Sequence, residues 1–499
     1  MDGSTVNLVE ATIGEVHEAL TSGALTVRML VEGYLARIEA YDRHGPKLNA
    51  IITINDDALA EADRLDLEFA ASGRLSGPLH GVPLLVKDQV ETAGIVTTFG
   101  SIAMDGYVPA EDATVVARLK EAGAVILAKT SMPDFATSWF SNSSKSGVTK
   151  NPYDLGRDPG GSSSGTGAGL AASLGLAGIG ADTGGSIRVP ASFNSLVGIR
   201  VTPGLISRRG VSALVAFLDT VGPMARTVRD AALLLDSMVG FDPDDEYTAA
   251  YITARPPARY SSALDADALR GARIGVLRQA FGAQADPDCA SVNSVIERAL
   301  DVMAEAGATL VDVEIPALDA FMTSTSLYLT HSRHDLNRFL AGRPGIPYST
   351  IESIVRDGKY HPALEWLEAM AEGPTTPADD PEYFPKMAER EKFQRAVVNA
   401  MARASVAVLV YPTVLVAAPT RADLEGGRWT VQAFPTNTMI APQAGLPATT
   451  VPAGGTAAGL PVGLEILGSP YGEPRVLSVA YAFEQIAHAR IVPASTPEL

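Results

Sequence analysis

The chain has 499 residues, 46% hydrophobic and 19% charged, enough to bury a large core. A formal net charge of −18 argues against a nucleic-acid partner, and the scattered 46 Gly and 33 Pro exclude a collagen-like or disordered chain. A single cysteine, Cys289, excludes an internal disulfide and suits a reducing compartment. Asp286 and Asp288 beside it disfavour the thiolate, so it makes a poor nucleophile. The opening Met1-Asp2-Gly3-Ser4 has no basic, apolar leader, and the expected location is cytoplasmic. The most apolar stretch, 165–181, is too short and glycine-rich to span a membrane.

Residues 1–75 read as a helical segment packed on a core. Thr12 and Glu15 form a candidate capping box, and apolar residues recur at helical spacing from Val31 to Tyr41. The catalytic domain is expected over 76–499. A short buried strand at 82–87 is followed by a helix from Asp112 to Ala122, stopped by Gly123, and a strand at 124–128. A helix from Gly165 to Leu174 leads into a strand at 177–181, and Thr227 caps a helix ending near Gly240. Residues 242–270, rich in Asp, Pro and Arg, read as a surface connection. Strand 272–277, helix 292–306 and strand 310–313 form a βαβ-like unit. Residues 317–400 look helical, strands return at 406–410 and 462–467, and a helix follows Pro474. Interleaved strands and helices predict an α/β class.

Two Ser/Gly clusters carry the chemistry. The first is Pro159-Gly-Gly-Ser162-Ser163-Ser164-Gly165, and the second is Asp182-Thr183-Gly184-Gly185-Ser186-Ile187-Arg188. Residues 161–165 match G-x-S-x-G, but a loop, Asn151 to Pro159, precedes them where the nucleophile elbow needs a strand. The dinucleotide-like Gly167-Ala-Gly169 lacks its strand for the same reason. His331 and His334 have the spacing of a helical metal pair, yet no third ligand lies near in sequence, so a solvated helix face is the better reading. Consecutive glycines let backbone N–H groups converge on one point, which suits an oxyanion, and a hydroxyl just after them can attack the same carbonyl. Lys87 follows the apolar Leu84-Leu-Val86. Burial would make its amine a usable base, whereas exposure would simply pair it with Asp88.

Lys87 and both clusters resemble the amidase signature family, in particular its stand-alone bacterial amidases. The spacing agrees, with 75 positions from Lys87 to Ser162 and 24 from Ser162 to Ser186. So do the flanking segments Lys129-Thr-Ser-Met132, Asp219-Thr-Val-Gly-Pro223 and Gly459 to Leu464. The resemblance implies a large twisted mixed β-sheet covered by helices on both faces, with a variable substrate-pocket region at about 317–440. It implies a Ser186 nucleophile, a Ser162 relay after a cis peptide bond and a Lys87 base. Thr183, Gly184, Gly185 and Ser186 would form the oxyanion hole, supported by Ser163, Asp182 and Arg188. Ser164 departs from the family, which usually has glycine there. No metal or organic cofactor is implied. The expected activity is hydrolysis of a small or aromatic/apolar carboxylic amide through an acyl-enzyme by a monomer or homodimer. The alternatives are ester or carbamate hydrolysis, or a role as one component of a glutamine-dependent amidotransferase. Met132, Trp139 and Phe140 are candidate pocket residues, with Phe321, Tyr328 and Phe434 as further aromatic candidates.

Overall fold

A computed structural model describes residues 7–499, so the Met1–Ser4 opening lies outside the described residues. In chain order the strands are β1 (Ile51–Ile54), β2 (Pro83–Lys87), β3 (Val125–Thr130), β4 (Asn142–Ser143), β5 (Gly147–Val148), β6 (Ala177–Asp182), β7 (Val197–Arg200), β8 (Thr220–Ala225), β9 (Arg273–Val276), β10 (Thr309–Asp312), β11 (Leu409–Pro412), β12 (Ala448–Gly455) and β13 (Pro461–Leu467). β4 and β5 pair with each other. The other eleven form one mixed sheet in the order β1-β3-β2-β6-β8-β7-β12-β13-β11-β9-β10. β2 runs parallel to β3 and β6, and β9 runs parallel to β10 and β11. The contacts from β6 through β8, β7, β12 and β13 to β11 are antiparallel.

Helices Val228–Met238, Pro287–Glu305 and Glu473–Ala487 share one core with the sheet. Ser164–Ala171 and Arg188–Phe193 pack on the other face, where Tyr383–Ala404 closes a second core against β11 and β13. Thr227 caps its helix as expected, accepting from the Asp230 N–H at 3.0 Å. The Thr12–Glu15 capping box is present. The expected helices of 317–400 are five: Leu318–Ser324, Tyr328–Ala341, Ile351–Arg356, Glu365–Ala371 and Tyr383–Ala404.

Six strands differ from the sequence reading: the short pair β4 and β5, and four strands of the large sheet. β1 lies inside the segment expected to be helical and adds to β3 at the sheet edge. β7, β8 and β12 have no counterpart among the expected strands. β7 and β8 carry Gly198, Gly222 and Pro223, and β12 carries Pro452 and two glycines, residues with weak strand propensity. Pairing on both sides holds them in the sheet centre.

Candidate active site

All of β2 is buried, and Leu85 and Lys87 share one of its faces because strand side chains alternate. Leu85 packs under Gly169 of helix Ser164–Ala171, so Lys87 points toward the N-terminus of that helix. There its Nζ donates to Ser162 Oγ at 2.7 Å and to the Ala181 carbonyl at 3.2 Å. The Lys87 side chain is 0% exposed. Burial pushes its ammonium down to about 7, against the upward pull of Asp182 and Asp219.

The close approach of the first Ser cluster to β6 requires a residue without a side chain. A Cβ on Gly180 would lie 2.7 Å from Ser163 Oγ. The Gly161–Ser162 peptide is cis. Ser163 N–H donates to the Ser186 carbonyl at 3.1 Å, which joins the two clusters through their backbones. Ser164 Oγ is buried with no hydrogen-bond partner among the described residues.

The second cluster leaves β6 at Asp182. Among the described residues, none of the four N–H groups from Thr183 to Ser186 donates a hydrogen bond elsewhere in the chain. Gly185 has φ +146°, and a Cβ there would fall 2.0 Å from Thr438 Oγ1. A Cβ on Gly184 would meet Tyr328 Oη at 2.5 Å. Thr183 Oγ1 donates to Asp219, which also accepts from the Leu214 N–H at 2.8 Å.

Beneath the turn lies a buried charge network. Arg188 donates to Asp182 through Nε and Nη2, each at 3.1 Å, to the Thr438 carbonyl at 2.8 Å, and to Glu465. Arg200 reaches Asp182 Oδ1 at 2.9 Å. Burial pushes the Asp182 carboxyl up, but Arg188 and Arg200 outweigh it and hold it at about 2. The network pins both ends of the 182–188 turn to β7 and β13.

A cavity of about 420 Å³ opens over Ser186. Trp139 lines it, with its Nε1 donating to the Val431 carbonyl at 3.0 Å. Tyr328 and Phe434 also line it. Met132, Phe140 and Phe321 do not, which corrects the sequence reading. Met132 is fully buried in the core around Phe99 and Phe135. Phe140 packs edge-on against Phe434 in a buried cluster that Trp139 also joins. Phe321 stacks on Phe393. Cys289 lies apart, packed with Phe140 and Val189, and burial together with Asp286 and Asp288 pushes its thiol up. None of the helices among the described residues is long and apolar enough to cross a membrane.

The sequence pattern of the family described as Amidase matches residues 29–477. The chain belongs to the amidase family. It is 35% identical over 489 residues to a glutamyl-tRNA(Gln) amidotransferase subunit of Geobacter metallireducens, spanning 96% of this chain and 98% of that protein. Native peptide amidase of Stenotrophomonas maltophilia superimposes with a TM-score of 0.86 at 35% identity, covering 98% of this chain and 99% of that one. The corresponding glutamyl-tRNA(Gln) amidotransferase subunit of Thermotoga maritima superimposes at 0.76 with 26% identity, covering 98% of each chain. The mixed sheet is the amidase fold, and the chain is an enzyme acting on C–N amide bonds.

Several residues of this amidase site escape the sequence reading. Arg200 and Glu465 carry no role there, although a charged residue ending or interrupting an apolar strand signals a buried partner. Asp219 enters only as part of a flanking segment. Trp366, Thr438 and Met439 lie hundreds of residues from the Ser clusters, and no local pattern marks them.

Proposed function

We propose that this enzyme hydrolyses carboxylic amides through a Ser186 acyl-enzyme, with Lys87 as the base acting through Ser162. The contact that carries this reading is the 2.7 Å bond from Lys87 Nζ to Ser162 Oγ in a fully buried setting. Neutral Lys87 accepts the Ser162 proton while Ser162 takes the proton of Ser186. Ser186 Oγ bonds to the carbonyl carbon, and the tetrahedral oxyanion is held by the N–H groups of 183–186. The C–N bond then breaks as the amine takes a proton back through the relay. Water enters by the same route, releases the acid and restores Ser186. Ser163 supports the relay turn, while Asp182 and Arg188 support the oxyanion turn.

A fluorophosphonate probe followed by peptide mass spectrometry is expected to label Ser186 alone. Labelling at another serine, or none in a preparation that turns over amides, would overturn the assignment. Because Lys87 must be neutral to accept the proton, kcat/KM is expected to rise with pH and level off above about 7. A pH profile flat from 5 to 9 would contradict the role. Gly185→Ala is expected to shift the oxyanion turn away from Thr438 and lower kcat/KM by about 10²-fold, read by steady-state kinetics.

The substrate under this reading is an amide with a small or aromatic/apolar acyl group. The second reading is glutamine-dependent amide transfer. It is favoured by the names of the sequence relatives, each one component of a larger enzyme. Those names support it more than they support the hydrolase reading. The likeness to peptide amidase favours a self-sufficient hydrolase. Hydrolysis by the purified chain without partners distinguishes the two.

A further inference from the structure

Uncharged side chains line the cavity above Ser186. Among the described residues lining it are Trp139, Tyr328, Trp366, Phe434, Met370 and Met439, with uncharged Ser, Thr and Gln chains between them, but no Asp, Glu, Lys, Arg or His. The charged groups around it are committed elsewhere. Lys87 is 0% exposed and bonded to Ser162. Asp182, Arg188 and Arg200 are each 0% exposed and neutralise one another together with Glu465. Asp219 turns toward Thr183 and the Leu214 N–H. Arg390 gives its N–H groups to the carbonyls of Pro442 and Gln443 and lies 4.3 Å over the Phe217 ring.

A substrate entering this cavity loses hydration from any charge it carries and meets no counter-charge among the described lining residues. Glutamine would bring an ammonium and a carboxylate, both close to its side-chain amide. A neutral amide avoids that loss. An aromatic ring on its acyl side gains contact with the half-buried Trp139 and Trp366, the latter set edge-on to Tyr328 at 5.7 Å. Resting on the acyl-enzyme reading above, we infer that the cavity selects uncharged amides with an aromatic acyl side and discriminates against free glutamine. Trp366, from the variable helical region, is a specificity-determining residue in this scheme.

The test compares three primary amides by the ammonia that the full-length enzyme releases from them: L-glutamine, Nα-acetyl-L-glutamine N-methylamide and 3-phenylpropanamide. The second carries the same reacting amide as glutamine without its charges. Both neutral compounds are expected to exceed glutamine at least 100-fold in kcat/KM, and glutamine equal to or better than its capped form would overturn the inference. Calorimetric binding of the same three compounds to Ser186→Ala decides the question even if no turnover is seen. 3-Phenylpropanamide should bind at least 10-fold more tightly than glutamine, and the reverse order would overturn the inference. Absent turnover and absent Ser186 labelling, with that binding order kept, would sink the catalytic reading and leave the selectivity standing. Trp366→Ala is expected to reduce the preference for 3-phenylpropanamide over butyramide by at least 10-fold, with Trp366→Phe restoring most of it. An unchanged preference in Trp366→Ala would remove Trp366 from the proposal.

Discussion

Ser186→Ala is expected to lower kcat by on the order of 10⁵-fold, with Ser162→Ala and Lys87→Met close behind. In the proposed mechanism the three groups act as one relay, so their losses should not add. Placing Ser162→Ala or Lys87→Met on top of Ser186→Ala should cost nothing further, because the residual rate then comes from binding and the oxyanion turn alone. Single-turnover assays with an activated amide measure this. Lys87→Met carries a second expectation. It replaces a fully buried amine, whose charged form is disfavoured there, with an apolar chain of similar length. Its thermal midpoint should therefore stay level or rise while activity is lost. Independent, additive losses across the three variants would mean that they do not form one proton path.

Asp182→Ala, unlike Lys87→Met, is expected to lose stability, by about 3–5 kcal/mol. Asp182 is the shared counter-charge of two fully buried guanidinium groups. Without it, Arg200 keeps the carbonyls of Asp182 and Leu218 but no carboxylate, while Arg188 retains Glu465. Urea denaturation measures the loss. The exposed pair Arg64–Glu68 serves as control, since Glu68→Ala should change stability by less than about 1 kcal/mol. The pH dependence follows from the sign of the shift. The folded-state carboxyl sits at about 2, below its ordinary 3.8, so its contribution is complete above about pH 4 and disappears as pH falls toward 2. Asp182→Ala should therefore lose less stability than the parent over that interval. Equal acid sensitivity in the two proteins would remove Asp182 from the account.

Lys87, Ser162 and Ser186 stand out as candidates because glycine clusters and an apolar run ending in lysine are local patterns with a chemical reason behind them. The amidase fold was legible through the same motifs and their spacing. β7, β8 and β12 were not, because they carry glycine and proline and depend on neighbours far along the chain for pairing. β1, Ile51–Ile54, has strong strand propensity but is only four residues long and lies between helices, so helical periodicity around it masks it. The reading of Met132 and Phe140 as pocket residues failed for a related reason. Sequence places Phe140 next to Trp139, but the direction in which each ring turns depends on what fills the space around it.

Residue order alone singled out the candidate reacting groups, their succession along the chain and the turn chemistry of two Gly-rich segments. Those properties reside in residue type and short-range backbone freedom. Packing of the whole chain was needed to show that Lys87 is buried, that Asp182 answers two arginines, and that uncharged side chains line the cavity over Ser186. Burial, charge pairing and cavity lining depend on segments hundreds of residues apart that meet only when the sheet and its helices close around them.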